Sequence, residues 1–477
     1  MEKLQDIEIG NRCNLYSPFL SVATFAGLLY LLSFYLPVVM AIHDVQRLFV
    51  SAVLAGALVS LLSVARAAQL TWLSALACAM AAATAWQPSW NGTSLLLTWL
   101  GLLAWGMHVY QRSLLRPTAY QQLWMVVAVL MALAYTVRVG AAIAAAVPDH
   151  KVLLNEVFLG FGHVRHFAQL MPLILPILAL GCLQRTPRSY LPPLFRPLAM
   201  FALLSWCVLL WLNGSAGALY GSLIGLGFAT AIAGWERSRS LVMTMLLAAC
   251  AAVLVILLLD RLLPLLGEIA QSARVQDSGR LEVWGATLKA LAEQPLLGWG
   301  PDRFPVVVDV KPGHPHNAML AFAMDFGLVA LLLLIIVMWR WFSPFRLARR
   351  IRAISVADAH WPVALTAAAF GGLAHAQVSG VTVMPLAQLL LALTLGLLLA
   401  AVADEAPERS FPRASRLVGG LLAVGLVMAT LASAWLSPCG PFASRQAACS
   451  MTPSFWASNP ITHGRECHHG PSRAVAR

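Results

Sequence analysis

Apolar and polar positions along this chain alternate on a long period. Runs of about 20 residues with almost no charge recur, and short polar connections between them hold most of the arginines. A helix needs about 20 apolar residues to cross a bilayer. The pattern therefore predicts spans near 18–41, 48–64, 70–87, 93–110, 120–147, 167–183, 197–213, 217–234, 240–261, 318–339, 361–380, 383–402 and 417–436. One stretch breaks the pattern. From Leu263 to Asn317 the chain is polar for about 55 residues between two strongly apolar segments. The expected layout is nine spans in 1–262, a catalytic insert in 263–317, spans ten to twelve or thirteen in 318–436, and a polar tail in 437–477.

Within the insert, Arg280 to Gln294 has helical periodicity. Leu281, Trp284, Leu288 and Leu291 share one face, while Glu282, Lys289 and Glu293 point elsewhere, which suits a helix lying flat on the lipid interface. Pro295, Gly298, Gly300 and Pro301 end it. In the eighth span Gly217, Gly221 and Gly225 form a stripe of small residues, a helix-packing device.

Composition agrees with this reading: 60% of the residues are hydrophobic and 11% charged. The fold class expected is an all-α polytopic membrane protein with 12–13 transmembrane helices. A net charge of +12 is compatible with nucleic-acid binding, but the arginines fall at the ends of apolar segments, which argues against it. Cys78, Cys182, Cys207 and Cys250 lie in apolar runs and read as small buried hydrophobes. Asn91-Gly92-Thr93 and Asn213-Gly214-Ser215 read as chance sequons.

Charge also orients the chain. With the N-terminus in the cytoplasm, alternate connections carry Arg66; Arg112 and Arg116; Arg185, Arg188 and Arg196; Arg237 and Arg239; Arg340 to Arg352; and Arg409 to Arg416. The intervening ones hold little beyond Arg47, Lys151 and Arg165. Lys and Arg collect on the cytoplasmic side, so the insert is expected on the outer, periplasm-like side.

The candidate chemistry gathers there. Asn317 is a good N-cap for a helix starting at Ala318. His316 then sits at the positive end of the helix dipole, which disfavours imidazolium and leaves the ring able to act as a base; an interfacial histidine bonded to nearby backbone is the plainer alternative. His314 is either a second partner or a loop residue. Arg280 keeps its charge and can grip a phosphate with two parallel hydrogen bonds, or it can simply anchor head groups. Arg303 and Lys311 share that ambiguity. Arg165 and His166 head the sixth span on the same side. Several cations on one outer surface suggest an anionic, phosphorylated lipid substrate. Asp325, His375 and Arg138 fall inside spans, where charge is costly and usually faces an interior cavity. The tail run Cys467-His468-His469 lacks partners at metal-site spacing, so no metal is expected.

These residues resemble a known family. Ser278-Gly279-Arg280, Trp284, Pro295 and Leu297-Gly298-Trp299-Gly300 are similar to the signature of the O-antigen ligase and polymerase superfamily. His316-Asn317-Ala318-Met319-Leu320 with Asp325-Phe326-Gly327-Leu328 resembles its His-Asn-x-x-Leu block and following acidic-x-Gly element. His375, Ser379-Gly380, Pro385 and Gln388 resemble the later element of lipopolysaccharide O-antigen ligases. The resemblance implies a GT-C-type glycosyltransferase of the Gram-negative inner membrane, multi-pass, with its active site facing the periplasm. It would take a glycan from undecaprenyl pyrophosphate and attach it to the lipid A-core oligosaccharide, inverting the anomeric centre without a metal or other cofactor. By that analogy Arg280 holds the pyrophosphate, His316 activates the acceptor hydroxyl, and Asn317, Asp325, His375 and Gln388 support them. The family's Ser-Arg-Gly element reads Ser215-Ala216-Gly217 here, which leaves Arg165 or Arg138 to replace the missing arginine. A glycan polymerase, a protein O-oligosaccharyltransferase and a transporter of lipid-linked sugar are the alternatives.

Overall fold

A computed structural model of the chain describes residues 42–61, 67–115, 117–146, 164–183, 191–262, 279–308, 314–403 and 413–436. Every regular element among them is a helix. In order these are α1 (Ile42–Leu61), α2 (Ala67–Trp86), α3 (Trp90–Leu115), α4 (Pro117–Ala146), α5 (Val164–Ala168), α6 (Met171–Leu183), α7 (Phe195–Asn213), α8 (Ala216–Ala233), α9 (Trp235–Leu262), α10 (Arg280–Glu293), α11 (Phe304–Val307), α12 (Ala318–Phe342), α13 (Pro344–Ala353), α14 (His360–Ala376), α15 (Pro385–Ala401) and α16 (Arg413–Leu436). The span expected at 18–41 and the tail 437–477 lie outside the described residues.

Among the described residues six segments are long and apolar enough to cross a membrane: Asn91–Leu114, Pro117–Ala144, Phe195–Asn213, Ala216–Ala233, Trp235–Leu259 and Ala318–Ala353. The chain is an all-helical polytopic membrane protein. The expected sixth span is not one helix. It breaks at Gln169-Leu170 into α5 and α6, and α6 from Met171 to Cys182 is buried on every side. Apolar residues all around this helix match its place at the centre, where α4, α7, α9 and α14 pack on it.

Small residues set the closest helix crossings. On the stripe of α8, a Cβ added to Gly225 would stand 2.2 Å from the Ala367 carbonyl oxygen, and one on Gly221 would stand 2.9 Å from that of Gly371. The stripe is thus the seam that lets α8 lie on α14. A second core joins α1, α3 and α16 through Leu54, Leu97 and Leu426. A third joins α2 to α12 through Leu76, Met80, Phe322 and Phe326.

Two expectations need correction. Cys182 is buried, but Cys78 and Cys250 are exposed on the bundle surface; an apolar helix in a membrane protein has an outer face that needs no protein cover. In α10 the inward side consists of Val283, Thr287, Ala290 and Leu291, while Leu281 is 81% exposed and Leu288 is also exposed. The apolar residues of α10 therefore divide between the protein and the outside.

Candidate functional site

The site begins at the N-terminus of α12. Asn317 caps the helix: its side-chain oxygen accepts from the Leu320 N–H at 3.0 Å. The chain before it, His314-Pro315-His316, turns back on itself. The His316 backbone N–H donates to His314 Nδ1 at 3.1 Å, and the two rings lie 4.0 Å apart. With Nδ1 accepting, a neutral His314 carries its proton on Nε2. His316 has φ +51 and Asp302 has φ +66; these two are the non-glycine residues with positive φ among the described residues. His and Asp tolerate the left-handed region better than most side chains, yet each such residue costs about 1–3 kcal/mol, and that strain tends to collect at functional sites.

The turn is held from the side by α10. Trp284 Nε1 donates to the Pro315 carbonyl at 2.8 Å. Arg280 occupies the first turn of the same helix, one turn before Trp284, after Gly279 with φ +56. The helix that carries Arg280 is thus bonded, through the Trp284 indole, to the turn that carries His316. The charge of Arg280 also reaches His375, which is 1% exposed. The His375 ring lies on Gly217, where a Cβ would meet its Cδ2 at 3.1 Å. His375 is held in the glycine seam, and its Nδ1 has no hydrogen-bond partner among the described residues.

A loop following α14 forms the floor under His314. A Cβ on Gly380 would stand 3.0 Å from His314 Cε1 and 3.5 Å from the Gln169 amide nitrogen. The Val383 and Met384 N–H groups both donate to the Gly380 carbonyl, at 2.9 and 3.1 Å. Gln388 Nε2 donates to the Thr382 carbonyl. Arg47 reaches the same loop from α1 and donates to the Val383 carbonyl at 3.2 Å. A cavity of about 40 Å³ opens here, with Arg47, His314, Asp325 and Gln388 among its lining residues. Burial of the ring, aided by the charges of His316 and His166, holds His314 well below the usual imidazole value.

Asp325 faces this cavity from α12. The backbone N–H of Asp302 bonds to its carboxylate, and Asn91 Nδ2 donates to Asp302 Oδ2 at 2.8 Å. Asn91, which reads as a chance sequon in the sequence, therefore ties α3 to the loop before α11. That loop also locks onto α12, which breaks at Gly327 (φ +79). At the break, the Trp299 N–H donates to the Met324 carbonyl and the Leu328 N–H donates to the Pro295 carbonyl, both at 2.8 Å.

Of the sequence candidates, the structure thus brings together His314, His316, His166, Asn317, Asp325 and Gln388, with Arg280 and His375 adjoining. Arg303 stands at the entry to α11 beside Phe304, a cavity-lining residue, and its Nε is buried with no partner among the described residues. Arg138 is half-buried in α4 and does not line the cavity. Lys311 and the side chain of Arg165 lie outside the described residues. Among the described residues no group of three or more His, Cys, Asp or Glu converges as a metal site requires.

Two polar residues of the site escaped the sequence reading. Arg47 is 3% exposed; its signal was an arginine one turn inside an apolar helix on the side otherwise poor in cations. Gln169 is buried, with its Oε1 unpartnered among the described residues; its signal was an amide within an apolar run.

No curated protein matches the chain. A family model described as O-antigen ligase matches residues 199–335, a stretch running from α7 into α12. It includes Arg280, Trp284, His314, His316 and Asp325. Over residues 199–335 this polytopic membrane protein is similar to the O-antigen ligase family.

Proposed function

We propose that the protein is a glycosyltransferase that moves an assembled glycan from undecaprenyl pyrophosphate to the lipid A-core oligosaccharide, on the periplasmic face of the Gram-negative inner membrane. The insert 263–317 carries the chemistry. His316 takes the proton of the acceptor hydroxyl, and the oxygen attacks the anomeric carbon from the side opposite the leaving group. The bond from that carbon to the pyrophosphate oxygen breaks with inversion, and the pyrophosphate keeps the electron pair. Arg280 holds that leaving group where its charge grows, which lowers the barrier more than binding the ground state would. A positioned base contributes roughly 10²–10⁴-fold in rate.

The observation that carries this reading is the hydrogen bond from the Arg280 helix to the His316 turn. Trp284 stands one turn from Arg280 and bonds to the Pro315 carbonyl next to His316, within the stretch that matches the O-antigen ligase family. Asn317, Asp325, His375 and Gln388 support the two groups from behind. Arg303, Lys311, Arg165, His166, His314 and Arg138 are the remaining candidates for holding substrate.

The test uses the purified full chain with lipid-linked glycan, rough lipopolysaccharide and a chelator. Transfer by the wild type that disappears in His316→Ala and Arg280→Ala supports the proposal. Transfer that survives both substitutions overturns the site. Glycan that lengthens on its own carrier makes the enzyme a polymerase, and glycan found on protein makes it a protein O-oligosaccharyltransferase. Movement across the bilayer without a new bond makes it a transporter.

A further inference from the structure

At the far end of α12 from His316 lies α13, which has four arginines and no acidic residue in ten positions. The 25 residues of α12, kinked at Gly327, follow a path of up to about 37 Å at 1.5 Å per residue, enough to cross the roughly 30 Å of a hydrocarbon core. So α13 stands at the membrane surface opposite the site. Exposed Trp235 and Trp339 lie at the same end, as in the aromatic belts of bilayer interfaces.

Two arginines fix α13 in place. Arg352 donates from Nε to the Ile232 carbonyl at 2.8 Å and from Nη2 to the Ala231 carbonyl at 3.0 Å, so it caps the C-terminus of α8. In return Arg237 of α9 donates from Nη2 to the Arg352 carbonyl at 2.8 Å, and also to the Ile354 carbonyl, so it caps α13. Leu347 and Ile351, one turn apart, are buried beneath. These restraints leave a different face outward, on which Arg346 is exposed while its Nη1 donates to the Arg340 carbonyl. Phe345, Arg346, Arg349 and Arg350 occupy positions i, i+1, i+4 and i+5, which form one continuous stripe. Phe345 is 78% exposed. The guanidinium charges of Arg346 and Arg349 both act on Arg350. Among the described residues the acidic groups on neighbouring segments are Glu236 and Asp358, and Asp358 bonds to its own turn through Ser355.

We propose that this stripe binds the head groups of acidic phospholipids, with Phe345 inserted among the acyl chains. Three like charges crowded on a rigid helix are stabilised by anions delivered at the same spacing. A bilayer surface delivers them beside the apolar layer that the phenyl ring needs. Each basic side chain near an anionic leaflet is attracted to it, and a ring beside the cations adds apolar burial. Because the helix is already ordered by Arg237 and Arg352, little conformational entropy is lost on binding. The surface works independently of the transfer reaction.

The test incubates the full chain in detergent with equal amounts of phosphatidylglycerol and phosphatidylcholine, then counts retained lipids by native mass spectrometry. The wild type is expected to retain phosphatidylglycerol at least 5-fold over phosphatidylcholine. Arg346→Gln/Arg349→Gln/Arg350→Gln should lose most of that excess with its thermal midpoint unchanged, and Phe345→Ser should lose part of it. Single Arg349→Glu is the fallback should the triple variant misfold. Equal retention by wild type and variants, or no preference in the wild type, overturns the proposal. Displacement of the lipid by millimolar inorganic phosphate also overturns it, because the surface would then bind phosphate alone.

Discussion

The backbone N–H of Trp299 donates to the carbonyl of Met324 at 2.8 Å, joining the insert to the break in α12. A regular helix would commit that carbonyl to Leu328. Here the Leu328 N–H turns to Pro295 instead, and the broken ladder is completed by the Pro295–Trp299 loop. Gly298 and Gly327 permit the approach, because a Cβ on Gly327 would stand 2.0 Å from the Leu296 carbonyl oxygen and one on Gly298 2.5 Å from that of Met324. The two motif blocks are thus the two sides of one lock, and the lock fixes where α10, with Arg280, stands relative to His316.

Gly327→Ala should open that lock. The residue has φ +79 and backbone on its Cβ side, so strain of about 1–3 kcal/mol adds to the clash. A drop in thermal midpoint with loss of transfer is the expected result. Gly285→Ala is the control. It lies within α10 with nothing within 4 Å of a new Cβ, and should stabilise the helix by up to about 1 kcal/mol.

Trp284→Phe keeps the ring and deletes the donor to Pro315. The buried Pro315 carbonyl loses its partner, at a cost of about 1–3 kcal/mol. Turnover should fall about 10-fold or more through misplacement of His316, with the donor KM little changed. Steady-state kinetics separate the two, and an unchanged turnover would mean that the turn holds its shape without α10.

Arg47→Met removes the donor that pins Val383, and with it the support of Gly380 under His314. Turnover is expected to drop at least several-fold, and Arg47→Lys should recover part of it by donating to the same carbonyl. If Arg47→Met raises the donor KM alone, Arg47 touches substrate instead of holding the loop.

Acid should weaken the fold through His314. Its folded pKa is depressed by burial, so below the ordinary value near 6.5 the unfolded chain binds a proton that the folded site refuses. Its contribution is intact at neutral pH and is lost as pH falls from about 6.5 towards the lowered value, at up to about 1.4 kcal/mol per pH unit. Thermal midpoints between pH 7.5 and 5 should show that slope. His314→Asn keeps an acceptor for the His316 N–H without an imidazole, and should flatten it.

Much of the frame was legible in the chain itself. Apolar runs predicted helices wherever the described residues cover them, because burial in hydrocarbon and backbone hydrogen bonding leave few other structures. Asn317 marked the start of α12, and the glycines of α8 announced a close crossing, since both are local signals. Three things came only from the fold. Gly327 looked like part of a helix, and its break depends on a loop some 30 residues away. Arg47 looked like one more connection charge until α1 brought it under Val383. His314 and His375 take their places because Gly380 and Gly217 leave room for their rings. Periodicity and capping are written in neighbouring residues, whereas a side chain's partner across the bundle depends on how helices distant in sequence pack together.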